Sequence, residues 1–241
     1  MIEDPLVFLQ SLLTKEFGRV AKSGGANAAH PSPLIITVTR DYGALGEEIA
    51  QRLAAVLQIP CFDQEIQELL AERAKIDKVE IARFDEQDPD LMSAFLYNLL
   101  SGSIATMEIY RHYLREVLEE VTRQDCLIIG RGAHLILRSK PVFRLRIVGS
   151  HVMCTHRIAA QEKLTVLAAG QKVVDVNHKR QKSISAMFSE VHGHAGIEEA
   201  KNFDLIINTD HLSVEAAIPI ILLALRQFGF DLSSSAAREA I

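Results

Sequence analysis

The stretch Ile35-Ile36-Thr37-Val38-Thr39-Arg40-Asp41-Tyr42-Gly43-Ala44-Leu45-Gly46-Glu47-Glu48-Ile49-Ala50 decides the fold. Leu34 to Val38 is a continuous apolar, β-branched run, the pattern of a strand covered on both faces. A glycine-bearing turn follows. From Gly46 to Leu57, apolar residues recur at Ile49, Ala50, Leu53, Val56 and Leu57, the spacing of a helix packed back on that strand. This is the layout of a phosphate-binding loop, because the first amides of a helix and its dipole both favour an anion. The full nucleotide pattern GxxxxGK[ST] is absent. Glu47 and Glu48 stand where a lysine and a hydroxyl would be wanted. As caps of the helix dipole they stabilise by about 0.3–1 kcal/mol. About 4 Å from a phosphate charge, a carboxylate costs on the order of 4 kcal/mol at an effective dielectric near 20. An acid pointing into the loop therefore defeats binding, whereas with both pointing outward the backbone nest still works. Spacing leaves both arrangements open.

Outward from this unit, strands and helices alternate. Ile59 to Asp63 reads as a short strand ending in an acid, Gln64 to Ala74 as a helix, and Asp85 to Asp90 as an acidic turn. Leu91 to Thr122 reads as two helices broken near Ser101-Gly102-Ser103. Cys126 to Gly130 is a buried strand, Ala133 to Leu137 a short helix, and Phe143 to Val148 a strand with one face exposed near its start. Helices are expected over Val152–Ala168 and Gln171–Phe188, and a loop over Val191–Gly196. Asp204 to Thr209 is a last strand, and Val214 to Gln227 a closing helix capped by Ser213. The alternation predicts an α/β protein, a three-layer α/β/α arrangement on a mainly parallel sheet. Residues 34–230 form that domain. Residues 1–33 hold a helical stripe (Leu6, Leu9, Leu12, Leu13, Phe17) and a linker rich in glycine, proline and small residues. This appendage is either a docking element, through which a homo-oligomer would form, or a helix packed on its own domain. Residues 231–241 are expected to be a disordered tail.

Composition narrows the class. The 241 residues are 48% hydrophobic and 24% charged, ordinary values for a globular protein. A formal net charge of −5 argues against a general nucleic-acid binder, while leaving room for a local basic cleft. No signal peptide is read at the N-terminus, and the apolar run Ala216 to Leu225 is too short for a membrane span. Cys61, Cys126 and Cys154 are scattered and odd in number, so they read as small buried hydrophobes in a reducing cytoplasm. His192 and His194 lack a third ligand and read as solvated, so no metal site is expected.

In a parallel α/β sheet, ligands bind outside the carboxyl ends of the strands. There the chain places Arg40 and Asp41, Asp63, and Arg131, the last between two glycines. Charges at strand ends are also common on plain surfaces, so the site reading and the surface reading both stand at this point.

The loop from Thr37 to Ala50, Ile59-Pro60-Cys61-Phe62-Asp63, Ile128-Ile129-Gly130-Arg131-Gly132-Ala133 and Asp204-Leu205-Ile206-Ile207-Asn208-Thr209 together resemble the cytidylate kinase-like family, a branch of the P-loop nucleoside-monophosphate kinases. The resemblance spans roughly Leu34 to Leu225. It implies a P-loop fold with a helical lid, and phosphoryl transfer from ATP with Mg²⁺ to a small nucleotide, cytidylate. Position by position, it makes Gly43 and Gly46 loop glycines and Arg40 a phosphate contact. Asp63 and Arg131 fall to the acceptor nucleotide, with Arg131 gripping its phosphate. Arg157 and Arg180 fall where lid arginines close over the transferring phosphoryl group. The family's loop resembles S-R-x-x-G-S-G-G-R-E-I-A, already without the lysine. Here Ala44 and Leu45 replace a serine and a glycine, Glu47 replaces a basic residue, and Asn177 stands for an aspartate. Three of those four departures fall in the donor-phosphate cradle, whereas the acceptor-side Arg131 is intact. They motivate an alternative, a degenerate kinase homologue that binds nucleotide or regulates without transferring phosphate. A third reading is an unrelated α/β protein whose loop is only a structural turn.

Overall fold

Five consecutive β-branched residues, Ile35 to Thr39, favour an extended backbone, and β1 (Ile35–Arg40) is buried along its first five residues. The computed structural model describes residues 33–74, 106–192, 199–230 and 232. After β1 come α1 (Gly46–Leu57), β2 (Cys61–Phe62), α2 (Gln64–Ala74), α3 (Thr106–Val121), β3 (Cys126–Ile129) and α4 (Ala133–Ile136). They are followed by β4 (Phe143–Val148), α5 (His151–Glu162), α6 (Val166–His192), a 3₁₀ turn (Ala200–Asn202), β5 (Leu205–Asn208) and α7 (Val214–Gln227). The five strands form one parallel sheet in the order β2-β3-β1-β4-β5.

Alternate side chains of β1 feed different layers. Ile36 and Val38 join Leu127, Ile129, Phe143, Leu145 and Ile147 in a core closed by α1, α5 and α7. Ile35 joins Cys126 and Ile128 in a second core on the opposite face, closed by α2, α3 and α4. This is the expected three-layer sandwich, in which parallel strands must be covered on both sides.

Several boundaries differ from the sequence reading. β1 runs two residues further, to Arg40, because Thr39 and Arg40 keep pairing with β4. β2 shrinks to two residues that pair only with β3 at the sheet edge. The helix break expected near Gly170 lies instead at Lys163, a left-handed residue, with Thr165 accepting from the Ala168 amide at 3.2 Å. Gly170 is buried inside α6, facing Thr155 and His151 of α5 at distances that an added β-carbon would meet as ordinary contacts (3.5–3.6 Å). The α5–α6 pair is the expected helical lid. Val191 and His192 close α6 rather than opening a loop. Ser213 caps α7 as expected, accepting from Ala216 N at 3.2 Å. The N-terminal stripe, the acidic turn, the Ser101–Ser103 break, His194 and residues 233–241 lie outside the described residues. No helix among the described residues is long and apolar enough to cross a membrane.

Candidate functional site

The connection leaving β1 passes to α1 on one face of the sheet, and that leaving β3 passes to α4 on the other. Between two such strands the chain opens a crevice at the carboxyl edge, the usual ligand position in this architecture. A cleft enclosing about 680 Å³, its open mouth included, lies there. Four arginines reach it from four elements: Arg40 from β1, Arg131 from the turn after β3, Arg146 from β4 and Arg180 from α6.

Local backbone geometry aims Arg131. Gly130, Arg131 and Gly132 are all left-handed, with φ of 72°, 58° and 63°. Glycine takes this conformation without penalty, whereas arginine gives up about 1–2 kcal/mol to adopt it. The flanking glycines also make room, since a β-carbon on Gly130 would lie 2.8 Å from Arg40 Nη1 and one on Gly132 would lie 2.6 Å from the Phe188 ring. The resulting turn buries the Arg131 side chain against Asp63, with Nη2 3.4 Å from the Asp63 carbonyl and 3.8 Å from Oδ1. Burial pushes the guanidinium down to about 10, against the pull of Asp63 and with help from the nearby Arg40 and Arg180 charges. It is still protonated at neutral pH.

Arg146 is the main surprise. The strand was expected to expose a face near its start, yet Arg146 is 5% exposed and its Nη2 donates to Asp41 Oδ1 at 2.9 Å. Its guanidinium also lies 5.7 Å from the Phe203 ring centre. Arg144 is half-buried against Asp204. Beside them His134 is held neutral, pushed down to about 3 by burial and then by Arg144 and Arg146, so it is no proton carrier at neutral pH.

The loop opens a second cavity of about 750 Å³, lined by Tyr42, Gly43, Leu45 and Arg157 and reached by Arg40, Glu47 and Arg180. Gly43 (φ 81°) packs on α5, where a β-carbon would fall 2.8 Å from the Cys154 carbonyl. Leu45 takes the left-handed conformation at the start of α1 (φ 61°) and offers its helix no side-chain cap. Glu47 points inward. Its Oε1 accepts from Arg40 Nε at 2.8 Å and lies 3.4 Å from Arg180 Nη2. Glu48 is exposed. The acids thus do not act as a matched pair of dipole caps. Burial alone would raise the Glu47 carboxyl, but the Arg40 and Arg180 charges overcome it and hold the group below its ordinary 4.5. A depressed acid stabilises the fold above its unfolded value, and that contribution is lost as the pH falls through the folded one. Between about pH 5 and pH 3, the wild-type thermal midpoint is therefore expected to fall further than that of Glu47→Gln, as followed by circular dichroism.

Arg157 lies beside the loop, where its guanidinium bonds the carbonyls of Gly43 (3.2 Å) and Thr209 (2.6 Å) and the Thr209 hydroxyl (3.0 Å). It therefore ties the loop to the end of β5. Tyr42 ties the same loop to the lid: its amide donates to Asn177 Oδ1 at 2.8 Å, its hydroxyl to Glu162, and Arg180 sits 5.6 Å from its ring centre. The structure thus brings Arg40, Asp63, Arg131 and Arg180 into one cleft, sets Gly43 and Gly46 in the loop beside it, and places Arg157 in the loop's own cavity, bonded to the loop backbone. The sequence reading did not single out Arg146 or the Tyr42–Asn177 contact. Two arginines alternating with apolar residues in an internal strand were the available signal for Arg146. The Tyr42–Asn177 contact spans 135 positions and left none. Burial pushes all three thiols up, to about 11 for Cys61 and Cys154 and about 12 for Cys126, which keeps them protonated and unreactive at neutral pH.

Residues 35–211 match the sequence model of the cytidylate kinase-like family. The chain belongs to this family. Among solved structures, an uncharacterized protein from Eubacterium ventriosum superposes with a TM-score of 0.57 at 20% identity, over 80% of this chain and 98% of that one, and shows the same fold. Shikimate kinase from Bacteroides thetaiotaomicron superposes more loosely, with a TM-score of 0.44 at 14% identity, over 80% of this chain and 98% of its own. No curated protein matches the chain. For a member of this kinase-like family, the arginine cleft and the glycine loop lie side by side at the carboxyl edge of the sheet.

Proposed function

We propose that the protein is a nucleotide phosphotransferase, moving the γ-phosphoryl group of ATP to the phosphate oxygen of a small nucleotide, cytidylate first among the acceptors. The convergence of Arg40, Arg131, Arg146 and Arg180 at the crevice between β1 and β3 carries this reading. Arg131, beside Asp63, fits the acceptor's phosphate, because a guanidinium matches two phosphate oxygens at once. Arg40 and Arg180 fit the transferring group between the two cavities. Catalysis of this kind is positioning and charge neutralisation, for which permanently charged side chains suffice. The first-turn amides of α1, which Leu45 leaves without a side-chain cap, fit the donor phosphates.

A specific observation favours the alternative of a degenerate, non-transferring homologue: Glu47 stands at the lysine position and points inward. A coupled assay with Mg-ATP and CMP, dCMP or UMP separates the two readings. Turnover that depends on Arg131 supports transfer. Calorimetric binding of CMP without Mg-ATP binding or turnover supports the non-transferring homologue.

A further inference from the structure

Glu47 sits at the first turn of α1 with its carboxylate among three donors. Arg40 Nε is 2.8 Å away, Arg180 Nη2 is 3.4 Å away, and its own backbone amide at the helix start also bonds it. Two guanidiniums and a helix-start amide are the donor set that a phosphate oxygen would use. The same two arginines face the cleft that holds Arg131. A third of the Glu47 side chain is exposed (33%), so a path to solvent exists for it.

We infer that Glu47 is a built-in competitor for phosphate: its carboxylate fills the grip of Arg40 and Arg180 until a ligand phosphate displaces it. The inference rests on the reading of the cleft as a phosphate site and adds how entry to that site is regulated. Binding is then an exchange of anions. The carboxylate offsets the mutual repulsion of Arg40 and Arg180 while the site is empty, and weakly charged ligands are refused. With the loop lysine absent, the same exchange sets how much phosphate affinity the loop retains.

The test is calorimetric titration of the wild-type chain, Glu47→Gln and Glu47→Ala with CMP and with inorganic pyrophosphate, at fixed ionic strength. Removing one like charge at contact distance is expected to tighten both variants for pyrophosphate by about tenfold or more. Glu48→Gln makes the same charge change on an exposed side chain next door, and its affinity is expected to stay within about twofold of wild type. Cytidine, which carries no phosphate, is expected to show no difference among the variants. Thermal unfolding reports that each variant is folded, and either Glu47 variant alone decides the sign. Unchanged or weaker pyrophosphate binding in a folded Glu47 variant overturns the inference, because Glu47 would then be holding the arginines in place for the ligand. Failure of every variant and of the wild type to bind either probe overturns the phosphate-site reading itself, and the inference with it.

Discussion

Replacing Arg131 by alanine is expected to weaken CMP binding by roughly 10- to 100-fold and to abolish any CMP-dependent turnover. A hydrogen bond to a charged group is worth about 1.5–3 kcal/mol net, and each 1.4 kcal/mol is about tenfold in affinity. Stability should change little by comparison. Alanine inherits the same left-handed strain as arginine, and Asp63, whose side chain is 35% exposed, can turn to water once its partner is gone. Arg131→Lys keeps the charge but loses the two-pronged fork, so its affinity is expected to fall between the wild type and alanine. Titration calorimetry on all three proteins, with thermal unfolding as the control, reads these effects. Undiminished CMP affinity in Arg131→Ala would remove Arg131 from the site.

The fold was largely legible in the chain because its deciding signals are local and cooperative. The β-branched run before Arg40, the glycines of the turn and the helical spacing after Gly46 each dictate a conformation within a few residues. The Gly-Arg-Gly turn was legible for the same reason, since its flanking glycines announce a backbone that other residues adopt only at a cost. The Lys163 break was not. Lysine carries no turn signal, and Gly170 drew the expected boundary toward itself although it lies inside α6 as an ordinary buried helical residue. Within the site, the identity of the arginines was readable but their partners were not. Whether Glu47 faced solvent or the cleft depended on where Arg180 came to lie, and Arg180 is separated from it by 133 positions. The pairing of Asp41 with Arg146 crosses 105 positions in the same way. Ion pairs of that separation are set by the topology of the sheet.

Gly46→Ala is expected to destabilise the protein and, through Arg40, to weaken phosphate binding as well. Gly46 is buried at the first position of α1, where alanine would by propensity alone gain about 1 kcal/mol. Space reverses the sign. An added β-carbon would lie 2.3 Å from Arg40 Cβ and 2.7 Å from Arg40 Cγ. These atoms are the root of the Arg40 side chain, fixed by β1, so no rotamer change clears them. Either the end of β1 or the start of α1 must move, and overpacking of this kind costs about 1–3 kcal/mol. The net loss is up to about 2 kcal/mol, or a Tm lower by up to roughly 8 °C in a domain of this size. The functional consequence is the larger one, because any shift of the Arg40 root re-aims a guanidinium that meets Glu47 through Nε and lies over Gly130 through Nη1. Phosphate affinity is expected to fall by about tenfold or more, as one charged hydrogen bond is lost. Gly229→Ala is the control. Gly229, unlike Gly46, has a positive φ (89°), and nothing lies within 4 Å of an added β-carbon, so only the left-handed strain of about 1 kcal/mol applies and binding should be untouched. Equal stability and equal affinity in Gly46→Ala and wild type would mean that the close approach of β1 and α1 does not set the position of Arg40.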